Sequence, residues 1–517
     1  MSKEEADSSM LIPKFYAGRS IFITGGTGFL GKVLVEKILR SCPEVREIFL
    51  LMRPKKEMSI DNRLRKMLSL PLFDKLREER PSCFEKLIPV RGDVTQEGLG
   101  LPPVERRVII ERVSIIFHVA ANVRFDDKLK DAIFVNLRST RDVCILAGSM
   151  KNLISLVHVS STYAHADKPH VEEIAYEANI DWKKVIKMAE TVDEHILNTF
   201  SSKYLGAMPN TYTFTKRLAE LVISDYAKVL PSVIFRPSIV ISSFEEPVRG
   251  WIDNFNGPVG MMVGGGKGVL RAVFADKKAS SDYMPVDMAI KTMMIAAWKR
   301  GMKTVTEDPD VYVYNCASNN IKSISMEELI AIGLYYNERI PLDGIIWHPA
   351  VTITRCRVYY YLLVLLTHLL PAVLIDGLLK LSGRKPMLVR LQRKVYISNM
   401  ALSYFTTNDW SFSNEKLLKL LNDLSPENAK DFGFVYENFD IPEFFKNCLY
   451  ASKMYLLHED VTQLDKSKAH FNRMLWVDRI FKVWLLAVTY WIMYATGGLA
   501  YINNVVKSII DGSMFVE

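Results

Sequence analysis

The sequence predicts an α/β protein built on a Rossmann-type, doubly wound parallel sheet. A mainly helical C-terminal domain and a membrane segment near the end are expected to follow it. Three observations carry the fold class. The stretch TGGTGFLGK at 24–32 spaces Gly25, Gly28 and Gly31 by three, directly after the apolar run Ile21-Phe22-Ile23. Apolar residues at helical spacing follow, namely Phe29, Leu30, Val33, Leu34, Ile38 and Leu39. A second apolar run, EIFLLMR, then occupies 47–53. Strand 20–24, helix 30–40 and strand 47–53 together make a βαβ unit, the setting that a dinucleotide fingerprint requires.

Each part of the glycine loop has a physical task. Gly25 permits the tight turn, Gly28 lets a pyrophosphate approach the backbone, and Gly31 lets helix and strand pack closely. The helix N-terminus then offers unpaired N–H groups and a positive dipole end. Thr24, Gly25, Thr27, Gly28, Phe29, Leu30 and Gly31 are therefore the candidate phosphate cradle. Arg53 ends the second strand, with Lys55 and Lys56 just beyond. A cation there suits a 2′-phosphate and favours NADP(H) over NAD(H). PVRGDV at 89–94 ends a third strand and places Asp93 near an adenine amino group. IIFHVAANV at 115–123 ends a fourth, where Ala120 and Ala121 leave room for a cofactor.

The fifth strand, LVHVSSTYA at 156–164, ends in hydroxyl side chains. NTYTFTKRLAEL at 210–221 then carries Tyr212 and Lys216, one helical turn apart on one face. Lys216 is placed to hold a nicotinamide ribose and to lower the pKa of Tyr212. Tyr212 is the candidate proton donor to a carbonyl oxygen. A strand-end hydroxyl would bind that oxygen, with Ser161 preferred and Ser160 and Thr162 open. Between them, DWKKVIKMAETVDEHILNTF at 181–200 reads as one inserted helix, either a tunnel wall or a surface decoration. DYMPVDMAI at 282–290 reads as a helix start capped by Asp287.

Composition narrows the function class. At 517 residues, with 49% apolar residues, the chain has material for two domains or more. A net charge of +8 suits anionic ligands or an anionic membrane surface, and no nucleic-acid motif accompanies it. Six scattered cysteines argue for reduced thiols rather than a disulfide or zinc framework, and no metal site is expected. The polar N-terminus has no apolar signal core.

TGGTGFLGK, VHVSSTYA and YTFTK resemble the extended short-chain dehydrogenase/reductase superfamily. FRPSIV (235–240), GWIDNFNGPVG (250–260), SIIFHVAANVRFDD (114–127) and YNCAS (314–318) narrow the resemblance to the male-sterility-type fatty acyl-CoA reductases. The likeness is greatest to the animal peroxisomal type. It implies NADPH as cofactor and a long-chain acyl-CoA reduced through an aldehyde to a fatty alcohol, with CoA released, for wax ester or ether lipid synthesis. It also implies Tyr212 as proton donor, Lys216 as its helper and a carbonyl-binding hydroxyl within 160–162. Gly26 stands where the family commonly has Ala. Two other readings are a reductase of the same superfamily acting on a sterol or other hydrophobic carbonyl, and a non-catalytic membrane-bound NADPH-binding protein.

The resemblance divides the chain into a reductase domain at 1–345, whose substrate side covers about 230–345, and a helical C-terminal domain at 355–450. Basic residues crowd 355–394: Arg355, Arg357, Lys380, Arg384, Lys385, Arg390, Arg393 and Lys394, against Asp376. Within it VYYYLLVLLTHLLPAVLI (358–375) is expected to be buried or interfacial rather than spanning. VWLLAVTYWIMYATGGLAYI (483–502) has about twenty charge-free residues, enough to cross a hydrocarbon core of about 30 Å. Lys466, Lys468, Arg473, Arg479 and Lys482 precede it, which keeps the catalytic part cytosolic. A single C-terminal pass is the expectation, hairpin and buried helix the alternatives. The terminal SMFVE is no peroxisomal address. A peroxisomal membrane is therefore implied by the resemblance alone, with the endoplasmic reticulum as alternative. Oligomeric state is not predicted.

Overall fold

A computed structural model describes residues 11–54, 58–318, 322–436 and 439–497. Lys55, Lys56, the extreme N-terminus and the last part of the expected span, 498–502, lie outside the described residues.

Seven parallel strands form the central sheet: β1 (Ser20–Thr24), β2 (Glu47–Met52), β3 (Leu87–Arg91), β4 (Val113–His118), β5 (Ser155–Val159), β6 (Ser232–Pro237) and β7 (Tyr312–Cys316). Their order is β3-β2-β1-β4-β5-β6-β7. The order reverses between β1 and β4, which is the switch point where ligands bind at the carboxyl ends of such sheets. Alternation along the strands builds two cores. Ile21 and Ile23 face one, with Ile48, Leu50, Phe117 and Val157. Phe22 faces the other, with Phe49, Ile116, Leu156 and Ile234. A fully buried parallel strand needs apolar residues on both sides, which is why these runs read as continuous.

The helices that matter are α1 (Phe29–Ser41), α2 (129–148, continuous with a wider turn over Ile133–Arg138), α3 (Trp182–Thr191), α4 (Glu194–Leu205), α5 (Thr211–Ala227), α6 (Val286–Gly301), α7 (Arg357–Leu381), α8 (Leu388–Thr406) and α9 (Leu464–Ala495). Helices α1 and α6 cover one face, α2 and α5 the other.

Several expectations change here. The single helix expected at 181–200 is two. Val192 is extended, and the Asp193 side chain accepts from the N–H groups of His195 and Ile196, starting a new helix. Helix α3 buries Val185, Ile186 and Ala189 in the second core, and Trp182 Nε1 donates to Asp225 of α5 at 2.7 Å. It buttresses α5 from outside. Asp287 does not cap its own helix. It lies inside the first turn of α6 and accepts instead from the N–H groups of Phe244, Glu245 and Glu246 at 2.7–3.1 Å.

The helical C-terminal region does not have a core to itself. Leu417, Leu420, Phe432, Phe444, Phe445 and Leu449 join the core under α6. The short strand Ser411–Phe412 pairs with His170–Val171, and Glu173 accepts from the backbone N–H groups of Lys416 and Leu417. Within that region α7 is not buried. It is 25 residues long, and only 17% of its most apolar stretch is covered by the fold. Helix α9 packs by its first half, through bonds from Ser467 to Asp343 and from His470 to the Ile345 carbonyl. From Val483 to Ala495 its residues are exposed except for the half-buried Val488 and Met493.

Candidate active site

The glycine loop has the shape its spacing implies. Gly25 has a φ of +76°, and a Cβ there would lie 2.6 Å from the Ala120 nitrogen. A Cβ on Gly31 would lie 2.2 Å from the Gly25 carbonyl oxygen, so helix and loop meet at backbone contact. Gly28 is exposed and caps α1, with no side chain bonded to the first turn. The N–H groups of Phe29, Leu30 and Gly31 therefore open a helix N-terminus that no side chain among the described residues caps. That donor set fits a dinucleotide pyrophosphate, which Gly25, Thr27, Gly28, Phe29, Leu30 and Gly31 would hold.

Thr24 differs from its expected part. It is fully buried, its Oγ1 is 2.7 Å from His118 Nδ1 and it accepts from the Ala120 N–H at 3.3 Å. It braces β1 against the end of β4 and sits beneath the cradle rather than in it. Ala120 lies against Gly25, as the small residue at that strand end requires. Arg53 is exposed just past β2, and its carbonyl accepts from the Arg63 guanidinium. Nearby Arg53 and burial both lower the pKa of Arg63, burial more, so two cations stand at this strand end. Asp93 follows β3, half-buried, and one carboxylate oxygen accepts from the N–H and hydroxyl of Thr95 at 2.9 Å.

Ser161, Tyr212 and Lys216 converge beside this cradle. Ser161 follows β5 and starts the short turn Thr162–His165, accepting from the Tyr163 N–H at 3.2 Å. Its hydroxyl faces the Tyr212 phenol closely enough to act on that group's pKa. Asn210 caps α5 through the Thr213 N–H at 2.9 Å and so sets where Tyr212 lies. One turn on, Lys216 is buried and its Nζ donates to the Val159 carbonyl at 2.6 Å. Two facing hydroxyls, with an ammonium one helical turn beyond the phenol, are a donor set suited to holding and protonating a carbonyl oxygen.

The electrostatics depart from expectation on one point. Burial pushes the Tyr212 phenol up to about 12, and the Ser161 hydrogen bond opposes this. Lys216 is not among the causes, because its ammonium is turned to Val159. Burial pushes Lys216 down to about 8, and the Glu220 carboxylate opposes that. His118 and His158 lie under the same ammonium. Burial, then Lys216, holds His118 down to about 3 and His158 well below its ordinary value. Both imidazoles are neutral, so Lys216 is the cation of this pocket.

The three hydroxyls at the end of β5 have different partners. Ser160 donates to Glu220 Oε1 at 2.5 Å, and Thr162 Oγ1 is buried with no hydrogen-bond partner among the described residues. Ser161 faces Tyr212. Glu220 in turn accepts from Arg236 through both Nε (2.9 Å) and Nη2 (2.7 Å), and lies 2.8 Å from His165. Sequence reasoning missed this buried cluster. Its signals were a carboxylate one turn past Lys216 and an arginine inside the apolar run SVIFRP. It also missed Asn136, a lone amide in the apolar run Ile133–Leu137. Asn136 accepts from the Asn122 N–H at 2.8 Å and donates to Thr215 at 3.0 Å, joining the loop after β4 to α5.

An aromatic wall closes the other side. Phe125 lies 5.9 Å from Tyr212 and 5.3 Å from Phe405 at the end of α8. Tyr163 meets Phe405, Trp410 and Phe412 edge-on.

A dinucleotide cradle at the switch point, with a tyrosine, lysine and serine at the next strand end, places the protein among the extended short-chain dehydrogenase/reductase oxidoreductases. Solved structures agree on the fold. The terminal R domain of the myxalamid PKS-NRPS pathway is 18% identical with a TM-score of 0.57, covering 88% of this chain and 98% of its own. The reductase domain of a nonribosomal peptide synthetase from Mycobacterium tuberculosis also scores 0.57 at 18% identity, covering 89% and 96%. A family profile described as Male sterility protein matches residues 23–293, and a second with that description matches 367–459. Fatty acyl-CoA reductase 1 of Xenopus laevis is 38% identical over 90% of this chain and 89% of its own length. The Homo sapiens protein of that name is 37% identical over the same shares. Fatty acyl-CoA reductase wat of Drosophila melanogaster is 36% identical over 95% and 94%. The chain belongs to the fatty acyl-CoA reductase family.

Proposed function

We propose that this enzyme reduces a long-chain fatty acyl-CoA with NADPH, through an aldehyde, to the fatty alcohol, and releases CoA. The observation that carries the chemistry is the Ser161–Tyr212 hydroxyl pair with Lys216 one turn away. Ser161 and Tyr212 bind the carbonyl oxygen as negative charge develops on it. Lys216 holds the nicotinamide ribose and keeps positive charge under the site. Asn136 fixes α5 relative to the cradle. When bound, the dinucleotide supplies hydride, once for the thioester and once for the aldehyde. In the first stage the bond between carbonyl carbon and sulfur breaks and CoA leaves as its thiol. In the second, Tyr212 gives its proton to the aldehyde oxygen as the alcohol forms. Two NADPH are consumed per acyl-CoA.

NADPH is preferred because Arg53 and Arg63 offer cations where a 2′-phosphate would lie, and Asp93 is the candidate adenine contact. The aromatic wall of Phe125, Tyr163 and Phe405 suits an apolar acyl chain. The relatives' names supply the CoA thioester. The chain is read as a reductase body, a helical C-terminal region and a single pass near 483–502. That pass anchors it to a peroxisomal membrane with its catalytic part in the cytosol, the endoplasmic reticulum being the alternative. The exposed, charge-free run of α9 supports this, and a water-insoluble alcohol leaves readily into lipid. The products would feed wax ester or ether lipid synthesis.

The test incubates the purified full-length chain with C16 to C18 acyl-CoA and either NADPH or NADH. Two NADPH oxidised per alcohol formed supports the proposal. Accumulation of aldehyde alone, turnover of a sterol ketone instead, or equal use of NADH would each overturn the corresponding part.

A further inference from the structure

Helix α7 is arranged inside out for a protein in water. Its leucine-rich face is open to solvent, with Leu366, Leu374 and Leu378 each more than half exposed and Leu381 at 86%. Between its ends, His368 and Asp376 face the fold. His368 is buried, and its Nε2 accepts from the backbone N–H groups of Arg271 (3.0 Å) and Ala272 (3.2 Å). Asp376 accepts from the N–H groups of Met387, Leu388 and Val389 at 2.8–2.9 Å, capping α8. Tyr360 is buried against Phe274, ring centroids 5.6 Å apart. Tyr360, His368 and Asp376 are all buried, so the helix is tied to the fold at three points along its length.

That inward face decides how the helix can meet lipid. Its 25 residues are about 37 Å long, enough to cross a bilayer. Crossing would draw His368 and Asp376 out of their bonds and leave five backbone N–H groups without acceptors. Lying flat keeps every one of those bonds and covers the leucine face. Helix α9 leaves the fold beside the same spot. Arg271, whose N–H bonds His368, also has its guanidinium 3.8 Å from Asp478 of α9. Past Asp478, α9 exposes Ile480, Val483, Trp484 and Leu486. The two apolar surfaces therefore emerge next to one residue. Exposed cations stand at both ends of α7: Arg355 and Arg357 at the start, Lys380, Arg384 and Lys385 at the finish. Apolar residues outward and cations at the rim complement a bilayer whose headgroups are partly anionic.

We propose that α7 lies in the plane of a lipid bilayer, as a membrane contact separate from the expected pass at 483–502. It rests the body of the protein on the membrane along one face. Helix α8 turns back from it and carries Phe405 in its last turn, in the aromatic wall beside Tyr212. The bilayer and the candidate reaction site are thus joined by one helix.

The test uses the full-length chain with Cys356→Ser, which removes the exposed cysteine found among the described residues. Single substitutions Leu362→Cys, Leu366→Cys, Leu374→Cys and Leu381→Cys carry an environment-sensitive fluorophore. The protein is placed in phosphatidylcholine vesicles with and without 20–30% phosphatidylserine, roughly the anionic content at which basic segments respond. All four sites should be quenched by lipid-borne quenchers at one shallow depth, and shielded from iodide. Depth running through the midplane, with Leu381 reachable from the lumen, would mean a spanning helix and overturn the proposal. Iodide access at all four sites, or shielding that persists in detergent as cross-linked dimers, would overturn it as well. Leu366→Glu/Leu374→Glu provides a second reading. It should keep dinucleotide binding in detergent while the depth signal at Leu362→Cys moves toward water. An unchanged depth signal would count against the proposal.

Discussion

Lys216 donates from its Nζ to the carbonyl of Val159 at 2.6 Å, so the last residue of β5 holds the ammonium of the helix that follows. The strand that leads into Ser160 and Ser161 thereby fixes the cation as well as the hydroxyls. The site is set by one strand end and one helix face.

Tyr212→Phe removes the proton donor and leaves the cradle intact. Turnover with acyl-CoA should fall about a hundred- to ten-thousand-fold. NADPH binding, read by nucleotide fluorescence, should stay within about twofold. Near-normal alcohol formation by this variant would take Tyr212 out of its role.

Ser160 and Ser161 should separate cleanly. Ser161→Ala removes a donor to the carbonyl oxygen, and kcat should fall about a hundred- to a thousand-fold. Ser160→Ala removes one of several partners of Glu220. It should cost about 1 kcal/mol of stability, with the smaller loss of kcat. The reverse ranking would move the carbonyl contact to Ser160.

Activity should decline as pH rises through about 8. Lys216 is held down to about 8 by burial, while Tyr212, pushed up to about 12, stays protonated throughout that range. The alkaline limb therefore reports the lysine. Stability moves the other way. Between about 8 and the ordinary value of 10.5 the unfolded chain keeps a proton that the folded chain has released, so this residue makes stability rise with pH there. Glu220→Gln deletes the carboxylate that raises Lys216, so the alkaline limb should shift to lower pH. The same change leaves Arg236 buried without its charge partner, and should destabilise by about 3–5 kcal/mol. An alkaline limb that does not move would break the link between Glu220 and Lys216.

The cradle glycines should differ in kind. Gly31→Ala drives a methyl into the Gly25 carbonyl at 2.2 Å, and should lower stability by about 1–3 kcal/mol along with NADPH affinity. Gly28→Ala meets only the Gly25 oxygen, at 3.1 Å, so its thermal midpoint should change little. Its effect should fall on NADPH binding. Equal loss of midpoint in both variants would argue against an open face at Gly28.

The sheet was largely legible because parallel strands buried on both faces are apolar along their whole length. The runs at 20–24, 47–53 and 156–159 could be found from that alone. The glycine spacing and the Tyr212–Lys216 spacing were legible because each works within one local element. Glu220, Arg236, His165 and Asn136 were not, because their partners lie 14 to 79 residues away and no spacing records that. Thr24 and Asp287 illustrate the same limit. Thr24 was expected in the phosphate cradle and Asp287 at the start of its own helix, and each side chain bonds a segment brought to it by folding.

The sequence by itself determined the first five strands, the glycine turn and the order of Ser161, Tyr212 and Lys216, because periodicity and glycine conformation are local properties of a chain. Only the tertiary structure decided which strand-end hydroxyl faces the phenol, where the lysine points and which side of α7 is anchored. Those depend on what lies opposite each side chain. A leucine-rich stretch reads the same whether it is a core, a span or a surface, until His368 and Asp376 show which way it is turned.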